Sequence, residues 1–194
     1  AVGRRRDVAG MFDGITDPAL VGRATYDRAR ALTRAGLADS AIPVLHAVIE
    51  RFPDDQVAAG TAFYLLADLA VDAGQVDSAR ADYLAIAARY PASSLRPHAI
   101  LLAALIAYAT GKPATAVAEL SHAITSQDVN GERDAALYWL ARARLAVGDT
   151  ALARAGWREL LDNGPDSYYA VRAAARLDTL PWPALALEPL VPPD

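Results

Sequence analysis

In three of four repeated segments of the 194-residue chain, a tyrosine at one fixed position is followed, four residues later, by a charged side chain. Residues four apart lie on the same face of an α-helix, so each tyrosine and its charged neighbour can contact one ligand together. Ring stacking and hydrogen bonds from such groups suit an extended peptide or a glycan strand. The predicted binding residues are Tyr26, Arg30, Tyr64, Asp68, Tyr138 and Arg142, with Leu101 and Leu105 in the same places of a further segment. The alternative is that the tyrosines pack between helices and the charges contact only solvent.

No set of residues has the spacing of a catalytic or metal site. His46, His98 and His122 lie far apart and form no His-Glu-x-x-His pattern, so we interpret them as surface or groove residues. The sequence contains no cysteine, which excludes disulfides and thiolate ligands. It also lacks a glycine-rich phosphate loop and a Gly-x-Ser-x-Gly turn. We therefore predict no catalytic residue, no metal and no cofactor.

Charge and hydropathy narrow the range of partners. The formal net charge is −4 and Lys112 is the only lysine, so we expect no basic surface that would bind DNA or RNA. The longest apolar run, residues 99–109, is about half of the roughly 20 residues that cross a bilayer. This run predicts a buried helix, and we expect neither a transmembrane segment nor a nucleic-acid partner.

The residues that must position the tyrosines form a fourfold repeat. Four glycines follow one another at spacings of 38, 37 and 37 residues, and an alanine stands five residues after each. Glycine ends a helix by adopting a left-handed conformation, and a small alanine lets a second helix approach closely. Each unit is therefore predicted to be a helical hairpin. The repeat residues are Gly36, Gly74, Gly111 and Gly148, with Ala41, Ala79, Ala116 and Ala153.

Prolines close three of the four units. Pro53, Pro91 and Pro165 stand at one offset after the glycines, where proline cannot continue a helix, and Asp128 takes that place in the third unit. We predict an all-α fold of about nine helices. The predicted units cover about 22–53, 60–91, 97–128 and 134–165, and a terminal helix covers 167–178.

This spacing of small residues, glycine, alanine and proline resembles the tetratricopeptide repeat, slightly longer than its usual 34 residues. The resemblance implies a right-handed α-α superhelix whose concave surface is lined by the first helix of each hairpin, where the eight candidate residues lie. It also implies a scaffold, a role that such arrays serve in many unrelated processes.

We predict three parts in the chain. The repeat domain covers 18–178, and a proline-rich strap or linker covers 179–194. Residues 1–17 form an N-terminal segment, interpreted as a linker. Because the sequence starts without methionine or an apolar signal core, we expect a chain that was processed or cut from something longer.

Residues 132–177 are similar to the last part of the superhelical domain of the soluble lytic murein transglycosylases. In that family a separate catalytic domain carries a Glu-Ser pair whose acid protonates the glycosidic oxygen. None of the five glutamates of this chain precedes a serine, so no catalytic residue is carried over. The similar residues are Tyr138, Trp139, Ala141, Arg142, Ala143, Gly148, Asp149, Trp157, Leu160, Pro165, Ser167, Tyr168, Tyr169, Ala174 and Leu177.

The resemblances imply two functions. One is the non-catalytic helical domain of a periplasmic, peptidoglycan-cleaving lytic transglycosylase, which serves substrate access or protein docking. The other is a stand-alone tetratricopeptide scaffold of the bacterial cell envelope, for outer-membrane assembly or cell division, which the Phe52-Pro53 and Tyr90-Pro91 helix ends favour. Both imply peptidoglycan or envelope proteins as partners. A cytoplasmic adaptor is compatible with the fold, but no specific residue favours it.

Tyr168 and Tyr169 raise a separate expectation at the end of the array. Ser167 is placed to cap the last helix. A terminal repeat has no following neighbour to cover its apolar face, so we predict that both rings pack there. The predicted contacts are Trp157 and Leu161 for one ring and Trp139 or Tyr138 for the other.

Overall fold

The computed structural model describes residues 10–12, 14–17 and 20–177 of the chain. Within these residues it contains nine α-helices and no β-strand, which confirms the all-helical prediction. The helices are α1 (Val21–Arg34), α2 (Ala38–Arg51), α3 (Gln56–Asp72), α4 (Val76–Arg89), α5 (Arg96–Ala109), α6 (Pro113–Thr125), α7 (Arg133–Ala146), α8 (Thr150–Asn163) and α9 (Tyr168–Arg176). The predicted strap, 179–194, lies outside the described residues, as does most of the N-terminal segment, so the domain boundaries stay predictions.

The repeat glycines end the first helix of each hairpin in a left-handed conformation, as predicted. At the end of α3 the Gly74 N–H donates to the Val71 carbonyl oxygen at 2.9 Å, and the Gln75 N–H donates to the Ala70 carbonyl oxygen at 2.7 Å. These bonds satisfy carbonyl groups that the helix leaves unpaired at its end. The φ angles are +74° at Gly36, +72° at Gly74, +76° at Gly111 and +87° at Gly148.

Small residues allow the two helices of each hairpin to lie close together. The four repeat alanines, Ala41, Ala79, Ala116 and Ala153, are fully buried. Each helix packs against the next one along the chain, and α1 also packs against α3, α5 against α7, and α7 against α9. Contacts between alternate helices stack hairpin on hairpin, which is the arrangement of a superhelical repeat array.

Three clusters of apolar side chains form most of the core. One joins α1 to α5 around Ile86, the next joins α5 to α7 around Leu120, and the last joins α7 to α9 around Trp157. Because successive hairpins share each cluster, no hairpin buries its apolar face alone.

The longest apolar run of the sequence lies in α5. Its residues Ala99, Leu101 and Ala103 are buried, as predicted for a core helix. In the part of the chain that the structure describes, no helix is both long enough and apolar enough to cross a membrane.

The last helix confirms one part of the expectation for the tyrosine pair and corrects another. Ser167 caps α9, since the Ala170 N–H donates to its Oγ at 3.2 Å. The ring of Tyr169 packs at the end of the array, with its centroid 5.5 Å from that of Tyr138. Tyr168, by contrast, is 65% exposed, so the prediction that both rings seal the array is wrong for this residue. Neighbouring side chains on a helix diverge by about 100°, and only one of the two can face inward.

Candidate functional site

A groove lies between the first helices of two neighbouring hairpins, α3 and α5. Its volume is about 540 Å³. Its apolar wall is formed by Leu102, Leu105 and Ile106 of α5. The carboxylates of Asp68 and Asp72 come from α3. Apolar surface beside two acidic groups is the main chemical feature of this groove.

Asp68 is held in place by a tyrosine from the second helix of its own hairpin. The hydroxyl of Tyr83 in α4 donates to Asp68 Oδ1 at 2.7 Å. Tyr83 is buried, and its ring meets the ring of Tyr64 edge to face, with 5.6 Å between centroids. The hydrogen bond uses only part of the acceptor capacity of the carboxylate, so Asp68 can also accept from a ligand in the groove.

His98 connects the groove to the next hairpin. Its ring stacks on Tyr64 with 6.1 Å between centroids and an interplanar angle of 29°. Its Nδ1 lies 2.8 Å from Oε1 of Glu132, at the start of α7. These contacts restrain the side chains of Tyr64 and His98 before a ligand arrives, which lowers the entropic cost of binding.

The environment of the groove raises the pKa values of Asp68 and Tyr64. Burial raises the pKa of the Asp68 carboxyl; the Tyr83 hydrogen bond opposes this shift, Asp72 adds to it, and the charge of His98 opposes it. Burial and the neighbouring Asp68 charge raise the pKa of the Tyr64 hydroxyl. These shifts mean that negative charge on Asp68 is only partly compensated, and a cation in the groove would stabilise it.

The eight predicted binding residues fall into two rows along the array. The row six residues before the repeat glycines is partly exposed in all four units. Of this row, Asp68 and Leu105 line the groove together with Tyr64, whereas Arg142 lies at a different pocket. The row consists of Arg30, Asp68, Leu105 and Arg142.

The second row, ten residues before the glycines, is only half accessible. Tyr26 and Tyr64 are partly exposed, but Leu101 is 3% and Tyr138 is 1% exposed. Leu101 packs in the cluster between α5 and α7, and Tyr138 lies against Tyr169 of α9. The prediction of an accessible face is therefore corrected at Leu101 and Tyr138, which are core residues.

Sequence reasoning did not identify Tyr83 as part of the groove, because it considered only the first helix of each hairpin. A signal was present in the repeat, since a large residue stands nine positions after each glycine and is buried in every unit. A buried tyrosine normally needs a hydrogen-bond partner, and Asp68 is that partner. The residues of this position are Leu45, Tyr83, Leu120 and Trp157.

The groove offers aromatic faces, apolar surface and carboxylate acceptors, which suit the non-covalent binding of a cationic and partly apolar ligand. The histidines were predicted to be surface or groove residues. His98 lies in the groove, while His46 and His122 line other depressions. Among the described residues, no three His, Asp or Glu side chains form a group that could hold a metal ion.

A smaller pocket of about 130 Å³ lies toward the C-terminal end of the array, between α5, α7, α8 and α9. The guanidinium carbon of Arg142 lies 5.0 Å from the ring centroid of Trp139 and 5.5 Å from that of Tyr108. Arg142 Nη2 also lies 3.4 Å from the Tyr108 hydroxyl. Arg176 of α9 and Trp157 of α8 belong to the same lining. This pocket is cationic, whereas the α3–α5 groove is acidic.

Known proteins share this architecture. Nearly identical TPR-like repeats of a Podosopora anserina protein described as a kinesin light chain match with a TM-score of 0.61 at 20% sequence identity, covering 91% of this chain and 86% of that one. A second crystal structure, of a variant of the same protein, gives a TM-score of 0.60 with the same identity and coverage. At this identity the likeness establishes the fold alone. No curated protein matches the sequence.

The tetratricopeptide repeat family provides the direct assignment. Its model matches three overlapping segments of the sequence, residues 26–94, 64–130 and 101–168. Together they cover all four hairpins and well over half of the chain. The chain therefore belongs to the tetratricopeptide repeat family.

Proposed function

We propose that this chain is a scaffold that binds a segment of another protein in the α3–α5 groove. The segment that fits carries a lysine or arginine beside apolar residues. The observation on which the proposal rests is the Asp68 carboxylate, which is half-buried, oriented by Tyr83 and placed next to an apolar wall. Tetratricopeptide arrays bind their partners on extended helix faces of this kind.

Charge complementarity favours a basic side chain as the occupant. Asp68 and Asp72 both line the groove, and no lysine or arginine of the described residues does. A cation that reaches Asp68 gains more than one at a fully exposed carboxylate, because partial burial reduces screening by salt. The methylene stem of a lysine or arginine would pack along Leu102 and Leu105, and the Tyr64 ring offers a face to its charge.

A library of random peptides displayed on phage and selected on the purified chain tests this proposal. We expect the enriched peptides to carry lysine or arginine next to apolar residues. Asp68→Asn should weaken their binding by about tenfold, since it removes a charge-assisted contact but keeps an acceptor for Tyr83. Asp162→Asn, at an exposed position of α8 outside the groove, is the matched control and should bind like the unchanged chain. Enrichment of acidic peptides, or equal binding by Asp68→Asn, would contradict the proposal.

A peptidoglycan setting is a second candidate, favoured by the similarity of residues 132–177 to the lytic transglycosylases. In this setting the chain is the non-catalytic helical domain that guides substrate or docks partners for a catalytic domain. The similar segment contains a continuous series of ring contacts, from Trp139 to Tyr138 and from Tyr138 to Tyr169. A stand-alone scaffold of the cell envelope is the alternative, and the setting of either one would be the bacterial periplasm or cell envelope.

Sedimentation with purified peptidoglycan sacculi separates these two settings. A transglycosylase-type domain should sediment with the sacculi and release no muropeptides, because the family's catalytic acid has no counterpart in the chain. A protein-binding envelope scaffold should stay in the supernatant. The result leaves the groove proposal intact, since the peptide selection tests that one independently.

A further inference from the structure

In the described part of the chain, the lining of the pocket between α5, α7, α8 and α9 contains two guanidinium groups and no carboxylate. Arg142 approaches it from α7 and Arg176 from α9. Within the described residues, neither arginine forms an ion pair with a carboxylate. Two unpaired positive charges that converge on one concave site favour an anion there.

Trp157 lines the same pocket and carries a buried donor without a partner. This residue is 3% exposed, and its indole Nε1 is buried and has no hydrogen-bond partner in the described part of the chain. Buried polar groups are nearly always paired, because an unpaired donor costs free energy.

The guanidinium of Arg142 is held in one orientation by its neighbours. Its guanidinium carbon lies near the rings of Trp139 and Tyr108, and its Nη2 lies 3.4 Å from the Tyr108 hydroxyl. A guanidinium carries five N–H donors, so others remain for a ligand, and its edge matches the oxygens of a carboxylate or phosphate. The pocket volume of about 130 Å³ equals that of about four water molecules at roughly 30 Å³ each, so a small anionic group fits.

The pKa of Tyr138, a buried residue of α7, is affected by the same positive charges. Burial raises the pKa of a tyrosine hydroxyl. Hydrogen bonds with Arg172 and Arg176, together with the charges of Arg176 and Arg142, outweigh that effect and lower the pKa of Tyr138.

We propose that this pocket is an oxyanion-binding site, which takes a carboxylate or phosphate group between Arg142 and Arg176, beside Trp157. The site lies in different repeat units from the α3–α5 groove. It does not depend on what the groove binds.

The indole N–H resonance of Trp157 in a ¹H–¹⁵N NMR spectrum gives a direct readout. The spectrum has few indole signals, since the chain contains three tryptophans, and Trp157→Phe identifies the relevant one. Sodium phosphate and sodium acetate are titrated separately into the full chain, with sodium chloride at equal ionic strength as the reference. We expect a saturable shift of the Trp157 signal with phosphate, acetate or both, and the anion that binds more tightly defines the class of group.

Charge-neutral variants test the role of each arginine. Arg142→Gln and Arg176→Gln should each weaken anion binding by about tenfold or more, because each removes a charged donor. Arg154→Gln changes the net charge equally at an exposed position of α8 outside the pocket, and it should bind like the unchanged chain. Arg176→Gln alters only the last residue of α9, so the fold is expected to persist. A shift that chloride reproduces, that does not saturate, or that both pocket variants retain would overturn the proposal.

Discussion

Asp68 combines a charge with partial burial, and this combination sets its dependence on pH. Its pKa is raised in the folded chain by burial, so the folded state binds a proton more tightly than the unfolded state does. The resulting contribution to stability is fully present below the unfolded pKa of about 3.9 and is lost as the pH rises through the folded pKa.

We therefore predict that Asp68→Asn stabilises the chain more at pH 7 than at pH 3. Asparagine keeps an acceptor for the Tyr83 hydroxyl but never acquires the charge. Urea denaturation of both proteins over this pH range measures the difference in free energy of unfolding. A difference that stays constant or shrinks as the pH rises would show that the charge of Asp68 is fully compensated in the folded state.

Replacement of Tyr138 in α7 and of Tyr168 in α9 should have very different effects on the free energy of unfolding. Tyr138→Ala should lower the free energy of unfolding by about 3–5 kcal/mol, because it leaves a cavity in the core. Tyr168→Ala should change it by less than about 0.5 kcal/mol, since this ring is exposed and its hydroxyl accepts only a hydrogen bond from Arg172. Thermal and urea denaturation of both variants provide the measurement, and equal losses would place Tyr168 in the core after all.

The sequence predicts only in part whether a residue at a given position of the repeat is exposed, because side chains from other helices determine its exposure. Tyr64 and Tyr138 occupy the same place in their repeats, yet Tyr138 is covered by Tyr169 of the terminal helix. Likewise, the groove depends on Tyr83 of α4 and on Glu132, which directly precedes α7. Repeat spacing identifies a helix face but not what lies against it.

The helical hairpins could be predicted from the sequence because glycine, alanine and proline determine where helices end and how closely they pack within a few residues along the chain. Gly74 adopts a φ of +72°, a conformation that costs a residue with a side chain about 1–2 kcal/mol. Asp55 caps α3 by accepting a hydrogen bond from the Ala58 N–H at 2.9 Å, another local signal. Such signals need no knowledge of the tertiary structure.

Replacement of a turn glycine tests this local control. Gly74→Ala should destabilise the chain by about 1 kcal/mol, although nothing within 4 Å would touch the added methyl group, because the backbone conformation itself becomes strained. Gly164→Ala is the matched control: it also has free space, but its φ of −170° is open to any residue. Its effect should lie within about 0.5 kcal/mol of zero. Equal losses from the two changes would exclude backbone strain as the cause.

At the scale of the whole molecule, each hairpin is stabilised by its neighbours, so the two ends of the array should open more easily than the middle. Helices α1 and α9 have neighbours on one side only in the described chain. Amide hydrogen exchange should therefore be at least about tenfold faster in α1 and α9 than in α3 to α7, a difference of about 1.4 kcal/mol in opening free energy. Mass spectrometry or NMR can resolve the helices separately. Uniform exchange along the array would indicate a single cooperative unit instead.

The row of side chains six residues before the repeat glycines also makes the two directions along the array chemically different. From the first unit to the last it presents a positive, a negative, an apolar and a positive residue, Arg30, Asp68, Leu105 and Arg142. This order changes when it is read backwards, so the two directions along the array are chemically distinct. A chain that spans several units would therefore be bound with its amino end toward one fixed end of the array, and a peptide with the reversed sequence would be a poor substitute.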